Sequence, residues 1–376
     1  MMNTIYALLA HSWSGLVIAA IVAGLGWLIV YAARWLGYPR ARFVGYAVYG
    51  LAGLLALGSM VAIVRISRAQ RRYPPMGKLV DVGGYRMHIL AEGDAKGGPT
   101  LVWIPGSHAP GLALYHLHKV MRNETRSILF DRPGTGWSDT GPFPRRTARE
   151  AEELQMLLDN AGEKGPFILI GHSYGGLLAA NYARRYLEKT AAVILLDATP
   201  PDVFLYLPGG GGEALPAGLV RDSQWQGLSK LFGVWSDPAR RMARSNEETE
   251  VRKAMQAISA GPVSDWAHAS IISEWFDPKS VAELMVYDGE LGDLPVFVVI
   301  PEGDIDGTIG QLHLNEADRK RALNFLARAR VRYLSTSSKS ELIHPPAGTG
   351  HNYPYEAPDF VVETVRRVLA ESRQRF

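Results

Sequence analysis

The segment that most restricts the fold of this chain is residues 166–176, which read PFILIGHSYGG. Four apolar residues predict a short buried strand, and the residues after Gly175 have the composition of a helix. Ser173 stands between the two in the pattern G-x-S-x-G and must therefore sit on a very tight turn. The glycines beside it lack a Cβ and let neighbouring chain pass closely. The pattern predicts a serine raised at the end of a strand, with a helix N-terminus directed at it.

The amino-acid composition is that of a protein with a large apolar core. Of its 376 residues, 47% are hydrophobic and 20% are charged. The formal net charge of +3 is small, and no lysine-rich block or nucleic-acid motif is present, so we expect no nucleic-acid partner. The chain has no cysteine, which excludes disulfides, zinc–thiolate sites and a cysteine nucleophile.

The N-terminal region has the pattern of two membrane-spanning helices. No charged side chain precedes Arg34, and the run 14–33 is long enough to cross the hydrocarbon core of a bilayer as a helix. A second uncharged run covers 43–64 and ends in a cluster of arginines. A cleaved signal peptide would start with a basic segment and would lack the second run. Residues 1–72 are therefore predicted to form a transmembrane hairpin, with one span plus a re-entrant or interfacial segment as the alternative.

Positive charges around the hairpin indicate its orientation. The connection between the runs carries Arg34, Arg40 and Arg42, whereas the flank after the second run carries four arginines and Lys78. By this small margin, the positive-inside rule predicts that the domain after the hairpin is cytoplasmic.

From Lys78 onward, short apolar strands alternate with helical segments. The predicted strands are a hairpin over 79–90 and single strands at 100–104, 126–130, 167–170, 192–196, 295–300 and 340–343. The alternation predicts an α/β fold with a mostly parallel, doubly wound sheet. Residues 198–294 interrupt it with aromatic-rich, helical sequence. We expect them to form a cap inserted between two core segments, 78–197 and 295–376, at the carboxyl ends of the strands where active sites lie.

A serine nucleophile needs a base that takes its proton and a carboxylate that orients the base. In this topology the acid and then the histidine follow the serine along the chain. His351 lies in a glycine-rich turn after the last strand and is the expected base. His344, at the end of that strand beside two prolines, is the rival.

Three aspartates are candidates for the acid. Asp306 is the first choice, because it stands three residues after Gly303 in the loop that follows strand 295–300. Asp304 in the same loop is one alternative, and Asp197, directly after the preceding strand, is the other.

The oxyanion of a tetrahedral intermediate needs main-chain N–H donors. The expected donors are the amide of Tyr174, directly after the nucleophile, and the amide of Ser107, which follows Gly106 at the end of strand 100–104. The loop 131–139 is predicted to shape the floor of the site without a chemical role.

These segments resemble the α/β-hydrolase fold superfamily in order and spacing across residues 78–376. The resemblance is carried by Ile104-Pro105-Gly106, by the loop 131–139, by the elbow 171–176 and by Gly350-His351. Such proteins include carboxylesterases, lipases, lactonases, thioesterases, carbon–carbon bond hydrolases and prolyl-aminopeptidase-type peptidases. Similar epoxide hydrolases and haloalkane dehalogenases carry aspartate where this chain has Ser173. The chain departs from many relatives in having Pro105 before Gly106 instead of histidine, and in lacking a single aspartate after strand 295–300.

The expected activity is hydrolysis of an apolar or lipid-like carboxylic ester through an acyl-enzyme, with no cofactor and no metal. The expected partners are that small-molecule substrate and a membrane. A peptidase of the same fold is one alternative, and it needs an acidic cap residue such as Glu213, Glu247, Glu248 or Glu250 to hold a substrate amino terminus. A non-catalytic binding module is the other, although an intact serine–histidine pair argues against it.

Overall fold

The computed structural model describes residues 2–206, 211–234, 249–302 and 314–375. Within these residues, eight strands form one sheet in the order β1-β2-β4-β3-β5-β6-β7-β8. The strands are β1 Lys78–Asp81, β2 Arg86–Glu92, β3 Thr100–Ile104, β4 Ser127–Phe130, β5 Phe167–His172, β6 Thr190–Leu196, β7 Val296–Val299 and β8 Ser340–Ile343. β2 pairs antiparallel with β1 and β4, and every other neighbouring pair is parallel. The predicted mostly parallel α/β sheet is confirmed.

Helices cover both faces of this sheet, and further helices precede its first strand along the chain. In the described residues they are α1 Met2–Leu9, α2 Ser14–Trp35, α3 Ala41–Arg72, α4 Tyr115–Met121, α5 Thr147–Ala161, α6 Tyr174–Arg185, α7 Val203–Tyr206, α8 Gly211–Leu231, α9 Thr249–Ile258, α10 Val263–Glu274, α11 Pro278–Leu284, α12 Glu316–Val331, α13 Tyr353–Glu356 and α14 Pro358–Arg373.

Two apolar layers hold the helices against the sheet. On β3, Val102 and Ile104 point into the layer shared with α5 and α6. Leu101 and Trp103 point into the opposite layer, shared with α4 and α14. All four side chains are fully buried. β3 is thus covered on both faces, as expected for a central strand of a parallel sheet.

The segment between β6 and β7 forms the helical cap, through α7 to α11. Its helix α10 packs over loops at the carboxyl edge of the sheet. There the Oγ of Ser270 accepts a hydrogen bond from the main-chain N–H of Arg145, at 2.9 Å. Trp266 and Trp275 are buried inside the cap, whereas Trp225 on α8 is 70% exposed.

The N-terminal helices α2 and α3 pack against each other, and both are long and apolar enough to cross a bilayer. Large apolar side chains such as Leu25, Trp27 and Leu54 lie exposed on their outer faces. α3 does not stop near residue 64 but continues to Arg72. It contacts the cap helices α8 and α9, and Ile66 in its last part is buried.

The connection from α3 to the sheet is also held by the domain. The indole Nε1 of Trp137 donates to the carbonyl of Tyr73 at 3.0 Å. The Nε2 of His88 lies 2.6 Å from the carbonyl oxygen of Met76. These contacts attach the connection to the loop that follows β4 and to strand β2.

Candidate active site

Ser173 occupies the tight turn between β5 and α6. Its backbone angles are φ 56° and ψ −123°, a region that non-glycine residues rarely adopt and that costs about 1–3 kcal/mol. The flanking glycines make the turn possible, because neighbouring main chain passes too close to them to leave room for a Cβ. A Cβ on Gly171 would lie 2.2 Å from the carbonyl oxygen of Gly175, and one on Gly175 would lie 2.1 Å from that of Ile104. The strained turn lifts the Ser173 side chain off the sheet, where its Oγ lies 3.4 Å from the Oγ1 of Thr199.

His351 lies after β8, in the turn before α13. Its Nδ1 is 2.6 Å from the Oδ2 of Asp197. Its main-chain carbonyl accepts a hydrogen bond from the Nε2 of His172, the residue before Ser173, at 2.9 Å. Burial, and then the neighbouring His351, lower the pKa of His172 to about 4. A neutral His172 therefore holds the backbone of His351 beside the turn that carries Ser173.

Asp197 follows β6 directly, with a left-handed φ of 46°. Its Oδ1 accepts hydrogen bonds from the Nε and Nη2 of Arg330 on α12, at 2.8 and 2.5 Å. Burial by itself would raise the pKa of Asp197. The hydrogen bond from His351 and the charge of Arg330 outweigh that effect and keep the pKa below its ordinary value. The carboxylate is therefore ionised, with one oxygen on each partner.

Of the other predicted triad candidates, only His344 belongs to the described residues. Asp304 and Asp306 lie outside the described residues. The Nδ1 of His344 is 2.8 Å from the carbonyl oxygen of Ile300, and its Nε2 is 3.9 Å from Glu302. His344 is thus attached to the end of β7, whereas His351 is the histidine that contacts Asp197.

The loop after β3 lies against Ser173. A Cβ built on Gly106 would be 3.7 Å from the Cβ of Ser173, so the Gly106–Ser107 segment runs directly beside it. Tyr174 is the first residue of α6, and the N–H groups of a first helical turn have no partner within the helix. Both predicted oxyanion donors, Tyr174 and Ser107, are therefore adjacent to Ser173 in space or in sequence.

A buried arginine holds this loop from the sheet side. The guanidinium of Arg132, in the loop after β4, donates to the carbonyl oxygens of Pro105, Gly106 and Ser107 at 2.7–2.8 Å. It also lies 5.3 Å from the centre of the Tyr174 ring. The predicted structural role of the loop 131–139 agrees with these contacts, but the sequence did not identify Arg132 as the residue that provides them.

Polar cap residues contact the same loop from the opposite side. The Oγ of Ser107 is 3.0 Å from the Nε2 of His268 on α10. The Nε2 of His108 is 3.2 Å from the buried carboxylate of Asp265, which also pairs with Lys230 at 2.6 Å. No motif or spacing in the sequence indicated these contacts or the ion pair between Arg330 and Asp197.

Of the four glutamates named for the peptidase alternative, Glu250 is the one whose side chain is described, and its position gives that alternative no support. Glu250 is exposed at the surface and pairs with Lys253 at 2.7 Å. Glu247, Glu248 and the side chain of Glu213 lie outside the described part of the chain. In the ranges that the structure covers, no group of three or more histidine and carboxylate side chains is arranged to hold a metal ion.

Comparison with known proteins identifies a family. The model described as "Alpha/beta hydrolase family" matches residues 101–364. In sequence, the chain is similar to a vacuolar membrane protein of Saccharomyces cerevisiae, with 29% identity over 155 residues, 34% of this chain and 23% of that protein. The chain spans less than half the length of such curated relatives.

Solved structures share the fold at low sequence identity. An esterase from Thermogutta terrifontis is 20% identical with a TM-score of 0.54, over 79% of this chain and 98% of that one. A Pseudomonas aeruginosa protein assigned as an epoxide hydrolase is 17% identical with a TM-score of 0.58, over 79% and 96% of the two chains. These similarities concern the fold.

Proposed function

Because the chain belongs to the alpha/beta hydrolase family, we propose that it is a membrane-anchored serine hydrolase that cleaves carboxylic esters. The observation that carries the proposal is the left-handed backbone of Ser173 at the β5–α6 turn. A serine that served only as a helix cap would not require this strained backbone conformation. Its surroundings support a catalytic role, because His351 and Asp197 lie at the same edge of the sheet, hydrogen-bonded to each other.

In the proposed mechanism, Ser173 is the nucleophile, His351 the base and Asp197 the acid. The carboxylate of Asp197 accepts a hydrogen bond from the Nδ1–H of the imidazole, which places the lone pair of the neutral ring on Nε2. That nitrogen takes the Ser173 proton as the oxygen attacks the ester carbonyl. The amides of Tyr174 and Ser107 stabilise the oxyanion, the alcohol leaves with the proton from His351, and water then hydrolyses the acyl-enzyme. Asp306 and Asp304 remain the alternative acids.

The proposed membrane anchor follows from the level at which the cap meets the hairpin. A Cβ on Gly58 of α3 would lie 2.5 Å from the carbonyl oxygen of Phe232, at the end of α8. A Cβ on Gly15 of α2 would lie 2.6 Å from that of Leu231. Beyond this level α2 retains about 20 residues, or about 30 Å at 1.5 Å per residue, which is the thickness of a hydrocarbon core. The cap would then rest at the membrane surface.

This location favours an apolar or lipid-like substrate. The exposed Trp225 and Val234, at 70% and 64%, flank the residues that touch the hairpin and would lie near the lipid headgroups. Ile5 and Leu8 of α1, the helix that precedes the hairpin, are exposed as well. The positive-inside prediction of a cytoplasmic catalytic domain forms part of this proposal.

The proposed function is tested by labelling the detergent-solubilised full chain with a fluorophosphonate and then assaying p-nitrophenyl esters of increasing acyl length. Ser173→Ala is expected to lose labelling and to lower turnover by several orders of magnitude, and His351→Ala to lower turnover similarly. Ser273→Ala is the matched control, because the Ser273 hydroxyl donates only to the carbonyl of Ala269 within α10. Folded wild-type protein that neither labels nor turns over any ester would refute the proposal.

A further inference from the structure

One hydrogen-bonded chain connects the cap to the loop beside the nucleophile. Its members are Ser107 in that loop, His268 on α10 and Ser223 on α8. The Ser107 Oγ is 3.0 Å from His268 Nε2, and His268 Nδ1 is 2.7 Å from the Ser223 Oγ. The Ser223 hydroxyl donates to the carbonyl of Leu219, one turn earlier on α8, at 2.8 Å.

The direction of each hydrogen bond follows from the number of protons available. Ser223 has a single hydroxyl proton, which goes to the Leu219 carbonyl, so Ser223 accepts from His268. The His268 ring therefore carries its proton on Nδ1. Burial, and then the charges of His108 and Arg132, lower the pKa of His268 well below its usual range, which keeps the ring neutral. Its Nε2 is then an acceptor, and the Ser107 hydroxyl donates to it.

We propose that His268 is a positioning residue, which fixes the oxyanion loop from the cap side through the Ser107 hydroxyl. Arg132 holds the carbonyl oxygens of Gly106 and Ser107 from the sheet side. The peptide plane that presents the Ser107 N–H is thus constrained from both directions. The donor cannot turn away from the oxyanion while both contacts persist. This inference rests on the proposed function.

The cap helices that carry this chain are themselves fixed. Lys230 on α8 and Asp265 on α10 form an almost fully buried ion pair at 2.6 Å. Gln224, the residue after Ser223, donates to the hydroxyl of Tyr6 on α1 at 2.8 Å. The cap that positions the oxyanion loop is therefore held together by an ion pair between its own helices, and it is also hydrogen-bonded to helix α1. If the cap moved from this position, the hydrogen bond between His268 and Ser107 would be lost.

The test compares two substitutions at position 268 in the full chain in detergent. Gln places an acceptor near the position of Nε2, towards Ser107, whereas Asn reaches only the position of Nδ1, towards Ser223. His268→Asn and Ser107→Ala are each expected to lower kcat for p-nitrophenyl butyrate by roughly tenfold. That loss is below the roughly 10²–10³ that removal of a whole oxyanion donor costs. KM should change by no more than about twofold, since the contact matters in the transition state.

His268→Gln is expected to retain most of the wild-type kcat. The double variant Ser107→Ala/His268→Asn should be no slower than the slower single variant, because both remove the same contact. His118→Asn is the control for a lost buried histidine. The buried His118 is hydrogen-bonded to Ser127 and to Glu92. The substitution should therefore lower the melting temperature and leave kcat unaltered.

Three outcomes would overturn the inference. They are an unchanged kcat in His268→Asn, an equal loss in His268→Gln, and additive losses in the double variant. Each of these leaves an active wild type and refutes only the positioning role. Wild-type protein that is folded but neither labelled nor active would instead refute the proposed function, and this inference with it.

Discussion

Replacing Asp197 by asparagine gives the most informative perturbation of the proposed triad. In the wild type, one carboxylate oxygen faces Arg330 and the other faces His351 Nδ1. The guanidinium can only donate, so the asparagine oxygen will stay on Arg330 and the amide NH₂ will turn to His351. That group donates a hydrogen bond, which moves the ring proton to Nε2. The imidazole can then no longer accept the proton of Ser173.

The expected size of the effect follows from this tautomer change. In a serine triad it lowers kcat by about 10⁴-fold, equivalent to about 5.5 kcal/mol in the activation free energy. The loss of catalysis must be separated from a loss of stability, because Asp197→Asn also weakens the nearly buried ion pair with Arg330. Breaking such a pair costs on the order of 3–5 kcal/mol of folding free energy. Arg330→Gln breaks the same pair but keeps the carboxylate on His351. It should therefore lower the melting temperature while keeping kcat within about tenfold of wild type.

The assay is steady-state hydrolysis of p-nitrophenyl butyrate by detergent-solubilised protein, with melting temperatures measured on the same samples. Asp304→Asn and Asp306→Asn are included as the competing assignments, and both are expected to remain close to wild type. An Asp197→Asn enzyme with near wild-type kcat would contradict the reasoning. So would an Asp306→Asn enzyme with the 10⁴-fold loss, and that result would move the acid to the loop after β7.

Three further predictions address the loop, the pH dependence and the membrane. Arg132→Lys should lower kcat on the order of 10²-fold in the same ester assay, because one ammonium group cannot hold three carbonyl oxygens in this geometry; full activity would contradict this. Burial raises the pKa of Glu274 to about 7, so its stabilising contribution is complete below about pH 4.5 and is lost as the pH rises to about 7. Glu274→Gln should therefore gain stability relative to wild type across that interval, by up to about 3 kcal/mol, and melting curves whose difference does not change with pH would refute the assignment. Because the chain has no cysteine, a membrane-impermeant maleimide should label Lys253→Cys only after cells are permeabilised and should not label Leu25→Cys in intact membranes; labelling of Lys253→Cys in intact cells would reverse the orientation.

The sequence alone was sufficient for the elements whose signals are local. Strand β3 at Thr100–Ile104 and strand β8 at Ser340–Ile343 coincide with the strands predicted at 100–104 and 340–343. The elbow at Ser173 was equally readable, since a serine and its glycines within five residues define the turn. In each case the determining contacts lie within a few residues of one another, so the pattern along the chain contains them.

Other features depend on contacts between distant parts of the chain. His351 and Asp197 are 154 positions apart, and either of two loops can supply a carboxylate in this fold. Only the packing of β6 beside β7, with Arg330 behind it, brings Asp197 to the histidine. The contact between Ser107 and His268 spans 161 positions and depends on how the cap seats on the sheet. Such contacts leave no periodic trace in the sequence, because each partner is a single polar residue whose neighbours are chosen by the packing of whole elements.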